Sequence, residues 1–132
     1  MEFRDKQAIY LQIADYFAAR ILDESWLADE KVPSVRQLAV ELEVNPNTVM
    51  RAYTHLQDSG VIYNKRGIGY FVDPQAKSRL QENLRDKFIQ EELKSVFQTM
   101  TLLGLKLSDL TPYYESWLTE QSKQENKHEN QQ

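Results

Sequence analysis

A mainly α fold with one small β-hairpin, continued by further helices, follows from three features of the sequence. Apolar residues recur at helical spacing over residues 7–23, and two shorter helical runs follow, each opened by a capping signal. Beyond Gly60 the period changes from about 3.6 to 2 across two runs rich in β-branched and aromatic residues. From about Gln75 helical spacing returns as a long apolar stripe.

The first helix rests on Ile9, Ile13, Phe17, Ile21 and Leu22, with Leu11, Ala14 and Ala18 beside them. Lys31-Val32-Pro33 breaks the pattern. Ser34 is placed as an N-cap with Gln37 three residues on, the spacing of a capping box. The second helix turns Val35, Leu38, Ala39 and Leu42 inward and ends near Glu43, with Val44 in the following turn packing under the pair. Asn45 caps the third helix, and Pro46 suits its first position because the missing N–H would be unpaired there anyway. That helix runs to about Ser59, where Gly60 can close it in the left-handed conformation.

Val61-Ile62-Tyr63 and Ile68 to Val72 are the expected strands, and Asn64-Lys65-Arg66-Gly67 is the expected turn, with two cations at its tip. The later stripe comprises Leu80, Leu84, Phe88, Val96, Phe97, Met100 and Leu103, and it slips in phase around Glu91-Glu92. Gly104 is a stop signal. Ser108 and Pro112 are start signals for a last helix with Tyr113, Tyr114, Trp117 and Leu118, although Thr111 before a proline is biased out of helix. Residues 121–132 are polar and of low complexity, as in a solvated tail. Helix, capped helix, short turn, proline-started helix and basic hairpin, in that order, make a winged helix-turn-helix. The expected division is 1–73 for this domain, 74–120 for a helical dimerisation segment and 121–132 for the tail.

The 132 residues suit one domain with an appendage, and 41% hydrophobic with 27% charged residues is ordinary globular composition. The absence of cysteine excludes disulfides, thiolate metal sites and a cysteine nucleophile. The first six residues have no apolar signal core, and no run approaches the roughly 18 apolar residues of a membrane span, so a cytoplasmic protein is expected. His55 and His128 are the only histidines. With no paired carboxylates, phosphate loop or nucleophile motif, neither enzyme, metal site nor cofactor is expected.

The net charge of −4 argues against a nucleic-acid partner, so placement has to make the case. Within 34–72, Arg36, Arg51, Lys65 and Arg66 outnumber Glu41, Glu43 and Asp58 by one. On the third helix, at roughly 100° per residue, Asn47, Arg51, Thr54 and Asp58 fall within about 40° of one line, with Thr48 and His55 beside them. Val49, Ala52, Tyr53 and Leu56 lie opposite. Asn47, Thr48 and Arg51 are residue types that read base edges and hold phosphates. Taken alone, this is more often the pattern of an ordinary amphipathic surface helix. Lys65 and Arg66 sit beside Gly67 and Gly69, which let the backbone approach another surface, and suit a minor-groove or phosphate contact; taken alone, they are more often a solubilising turn. Arg36 opposes the dipole in its helix's first turn, which suits either an anionic partner or a salt bridge to a nearby Glu.

Over roughly residues 8–73 the chain resembles the GntR family of bacterial transcription regulators. The resemblance is carried by Ile9 to Ile13, Val32 to Ala39, Val44 to Tyr53, Leu56 to Ile62 and Arg66 to Val72. The Asn-Pro-Asn-Thr-Val start and the short C-terminal part look like the YtrA subfamily. The resemblance implies DNA contacts from Arg36, the start of the third helix and the wing glycines with their basic neighbours. The expected DNA-contacting residues are thus Ser34 and Arg36, then Asn47, Thr48, Arg51 and His55, then Lys65, Arg66, Gly67, Gly69 and Tyr70. Pro46 and Met50 stand where many family members carry arginines, so the operator should differ from theirs. Ala8 replaces the usual proline before Ile9-Tyr10.

Two helices cannot bury Leu80, Leu84, Phe88, Phe97, Met100, Leu103 and Trp117 by themselves, which makes these the expected dimerisation surface. An isologous two-fold dimer would place two recognition helices on a palindromic operator, and the YtrA resemblance implies the same arrangement. Tyr113, Tyr114 and Trp117 fit packing in that interface better than an effector pocket, so an unknown small-molecule effector stays open. The expected function is a sequence-specific DNA-binding regulator, a repressor by default. The alternative is a winged helix used for protein–protein contact, which the acidic total charge permits.

Overall fold

The structure, a computed structural model, describes residue 3 and residues 6–129 and divides into two units, Met1–Asp86 and Lys87–Gln132. The first unit begins with α1 (Ile9–Leu22), whose Ile13, Phe17 and Ile21, four residues apart, form its buried face. In α2 (Val35–Leu42) the capping box is present: Gln37 N–H donates to Ser34 Oγ at 3.1 Å and Ser34 N–H to Gln37 Oε1 at 2.9 Å. The helix closes with Glu43 in the left-handed region (φ 55°), and the Val44 N–H reaches back to the Ala39 carbonyl at 3.0 Å. Asn45 then caps α3 (Pro46–Asp58) by accepting from Asn47 N–H at 2.8 Å, with Pro46 at its start. Gly60 (φ 74°) ends α3 as expected, with Val61 N–H bonding the Leu56 carbonyl at 2.9 Å.

The hairpin turn is shorter and lies later than expected. Strands β1 (Ile62–Lys65) and β2 (Gly69–Val72) pair antiparallel with Lys65 opposite Gly69, so the tip is Arg66-Gly67-Ile68. Asn64 and Lys65 belong to β1: the pairing Asn64↔Tyr70 extends the ladder past the point where asparagine and two cations suggest a turn. Lys31-Val32-Pro33 is more than a break between helices. Lys31 forms an isolated bridge with Phe71, and Val32 N–H donates to the Tyr70 carbonyl at 3.0 Å, so this segment runs beside β2.

Ile13, Phe17, Leu38, Val49, Tyr53, Ile62 and Val72 are fully buried where these elements meet. Each such side chain contributes roughly 1.5–3 kcal/mol by leaving water. Val44 packs against this core, as expected of the turn residue. Edge-to-face aromatic pairs run through it: Phe17 meets Trp26 at 4.9 Å and Tyr53 at 5.3 Å. The Tyr53 hydroxyl donates to the Pro33 carbonyl, tying α3 to the segment ahead of α2, and burial pushes its pKa above the usual value of 10.0.

The first unit runs past the expected division at residue 73. Ala76 at the start of α4 (Ala76–Lys87) is fully buried and Leu80 packs on the core. Arg79 donates to the Gly60 carbonyl at 2.6 Å and lies 3.2 Å from Asp73 Oδ1. In the second unit, a π-helical turn, Phe88–Glu92, falls at the phase slip read from the sequence. Helix α5 (Leu93–Leu103) stops at Gly104 (φ 69°) as expected. The last helix, α6 (Leu107–Glu129), starts earlier than Pro112 suggests, because Asp109 Oδ2 accepts from Lys106 N–H at 2.8 Å and caps it there. Pro112 lies in its second turn, where it removes one intrahelical bond. Residues 121–129 of the expected tail continue α6, and 130–132 lie outside the described residues. Among the described residues no helix is long and apolar enough to cross a membrane.

Candidate nucleic-acid interface

The outer face of α3 is the face the sequence predicts. Val49, Ala52, Tyr53 and Leu56 are buried, whereas Asn47, Arg51, Thr54, His55 and Asp58 are exposed and Thr48 is half-buried. Its central cation is not loose. The Arg51 guanidinium lies 4.0 Å from the centre of the Tyr10 ring on α1. His55 meets the same ring edge-on at 5.8 Å and 79°. Tyr10 thus sits between the two and limits the rotamers open to Arg51. The sequence reading placed no role on Tyr10, because the partners lie on different helices and no local pattern joins them.

Arg36 is exposed in the first turn of α2, and among the described residues no carboxylate pairs with it, which leaves the salt-bridge account of this cation without a partner. Ser34 uses its hydroxyl as an acceptor in the cap, but its proton is free to be donated. On the wing, Arg66 is at the tip beside Gly67 (φ 79°), where a side chain would meet open space. Lys65 ends β1 with its ammonium 4.7 Å from the Phe71 ring. Gly69 is approached from within the molecule: a methyl group there would lie 2.9 Å from Lys31 Cε. Tyr70 turns inward, its ring 4.9 Å from Tyr53, so packing accounts for its position.

The ion pairs between described residues, Lys77–Glu24 and Arg79–Asp73, join α4 to the rest of the fold. Among the described residues Arg36, Arg51, Lys65, Arg66 and Lys31 have no carboxylate partner. An acidic chain therefore keeps cations on α2, α3 and the wing with which an incoming polyanion can pair. Among the described residues no group of three metal-ligating side chains surrounds His55 or any other position.

The expected dimerisation residues separate into two groups. Leu80 packs on the first unit's core and Met100 is buried. Leu84 and Phe88 are exposed, as are Phe97 (47%), Leu103 (67%) and Trp117 (57%), and so are Leu102, Tyr113 and Leu118. A helical segment that leaves this much apolar surface in water is poised for association.

Residues 9–72 match the family described as bacterial regulatory proteins, gntR family. The HTH-type transcriptional regulator YhcF of Bacillus subtilis is 35% identical over 109 residues, 83% of this chain and 88% of YhcF. The HTH-type transcriptional repressor YtrA of the same organism is 35% identical over 107 residues, covering 81% and 82% of the two chains. A crystal structure of a GntR-family transcriptional regulator from Bacteroides thetaiotaomicron superposes with a TM-score of 0.71 at 41% identity, covering 86% of this chain and 99% of that one. These relatives are transcription regulators, not enzymes.

Proposed function

The chain belongs to the GntR family of bacterial regulatory proteins, transcription regulators that bind DNA, and is similar to YtrA; from that premise we propose that it represses transcription as a homodimer on a palindromic operator. The observation that carries this reading is the pairing of two surfaces. One is the polar face of α3, flanked by cations that have no carboxylate partner among the described residues. The other is the exposed apolar face of α5 and α6. Asn47, Thr48 and Arg51 read base edges, while Arg36, Lys65 and Arg66 hold phosphates. A two-fold dimer repeats the set on half-sites about one DNA turn apart. Repression fits a small dimer that covers a promoter, and YtrA carries that description. The protein would act in the cytoplasm, with any small-molecule effector still to be found.

Selection from random duplex DNA, followed by a salt titration on the winning sequence, tests this. A palindromic consensus is expected, and a dimer neutralising about 6–10 phosphates should lose roughly 10³–10⁵ in affinity between 50 and 200 mM salt. A folded dimer that enriches no sequence and shows no salt-dependent affinity would overturn the proposal in favour of a protein-binding winged helix.

A further inference from the structure

We propose that Lys31 is a further phosphate-contacting residue of the wing, held in place by the missing side chain of Gly69. This rests on the DNA-binding reading above and assigns it a residue outside both the helix-turn-helix pair and the hairpin.

The wing's two faces differ. Val72 and its cross-strand partner Ile62 are buried on the inner face. Residues directly opposite one another share a face and neighbours along a strand alternate, so Gly69, Lys65, Phe71 and Tyr63 belong to the outer face. Lys31 bridges Phe71 from the other edge of β2 and joins the same face.

Its side chain runs across Gly69. A methyl group at that position would lie 2.9 Å from Lys31 Cε and 3.7 Å from its Nζ. The stem therefore crosses β2 where only glycine leaves room, and the ammonium lies beside the cross-strand partner of Lys65. The backbone at Gly69 has φ 145°, a region that L side chains rarely adopt, so space and conformation both favour glycine there.

The cation ends exposed and without a carboxylate partner among the described residues. Asp29, two residues earlier, accepts the Tyr63 hydroxyl at 2.7 Å. Lys31 lies beside Gly69, opposite Lys65, and Arg66 follows at the wing tip, so the hairpin and the segment beside it carry three cations. A compact ammonium on a flexible stem, placed away from the polar face of α3, suits a phosphodiester oxygen as a point charge.

The test is the slope of log affinity against log salt for the full chain on its selected operator. Lys31→Met keeps the stem and removes the charge. It should lower the slope by about 1.8, about 0.9 for each copy in the dimer, and weaken all duplex sequences alike. Lys31→Arg should restore the slope, and Lys77→Met, which breaks an ion pair elsewhere, should leave it unchanged. Gly69→Ala should lower the slope in the wild-type background and no further in Lys31→Met. An unaltered slope in Lys31→Met, with wild-type binding intact, overturns the assignment. An equal loss from Gly69→Ala in both backgrounds overturns the holding role. A wild-type chain with no DNA affinity fails the parent reading instead.

Discussion

The two units spend their apolar residues differently. In the first, α1, α2, α3 and the two-stranded wing close over Phe17, Leu38, Val49 and Tyr53, and the aromatic rings there have partners in the same chain. In the second, α5 carries a comparable stripe and α6 a weaker one, yet Phe97, Leu103, Tyr113 and Trp117 stay exposed. A helical stripe therefore reveals that a face will be covered, while the amount of chain available to cover it decides whether the cover is internal. The first unit buries its own stripe, and the second leaves exposed the stripe proposed above as a dimer surface.

Breaking the first unit's core gives the largest expected effect. Phe17→Ala should cost about 3–5 kcal/mol, read as a lower denaturant midpoint. A loss under 1 kcal/mol would mean that the core is less closed than its burial indicates. In the second unit the corresponding change, Phe97→Ser, should leave far-UV circular dichroism intact and weaken self-association. If the ring is buried between copies, roughly 1.5–3 kcal/mol per copy is lost, which sedimentation would show as dissociation. An unchanged sedimentation profile would remove Phe97 from the interface.

A smaller effect sharpens how the first unit is locked. Tyr53→Phe deletes the bond to the Pro33 carbonyl and should cost about 1 kcal/mol. It should also change the alkaline limb of the stability curve. Because burial raises the Tyr53 pKa, folding favours the neutral phenol. That contribution is complete below the ordinary value of 10.0 and is lost as the pH climbs toward the raised one. Stability of the wild type should fall more steeply above pH 10 than that of Tyr53→Phe, as urea midpoints would show. Smallest is Glu43→Gly, which relieves a non-glycine residue at φ 55° and should gain about 0.5–1 kcal/mol. A loss would show that the Glu43 side chain does more than occupy the turn.

What could be read from the sequence is what the backbone settles within a few residues. The Ser34–Gln37 box, the Asn45-Pro46 start and the Gly60 stop are all local devices, and each is present. The phase slip at Glu91-Glu92 foretold an irregularity that the π-helical turn supplies. Pairings between distant segments left no such trace. Lys31 meets β2 forty positions on, and Tyr10 meets Arg51 across two helices. The wing tip lies two residues beyond Asn64, whose turn chemistry is overridden by pairing with Tyr70. Of the DNA-contacting residues inferred from sequence, Tyr70 is the one whose packing turns it inward.

The brace formed by Arg79 matters to anyone who would cut and rejoin this chain. Ala76, Lys77, Arg79 and Leu80 all complete the first unit, although they follow the wing in sequence. A chimera spliced directly after Val72 would discard the guanidinium that holds the end of the recognition helix and would expose the groove left by Ala76. A graft made after Asp86 would carry the DNA-reading body whole, and foreign helices could then be attached without reopening it.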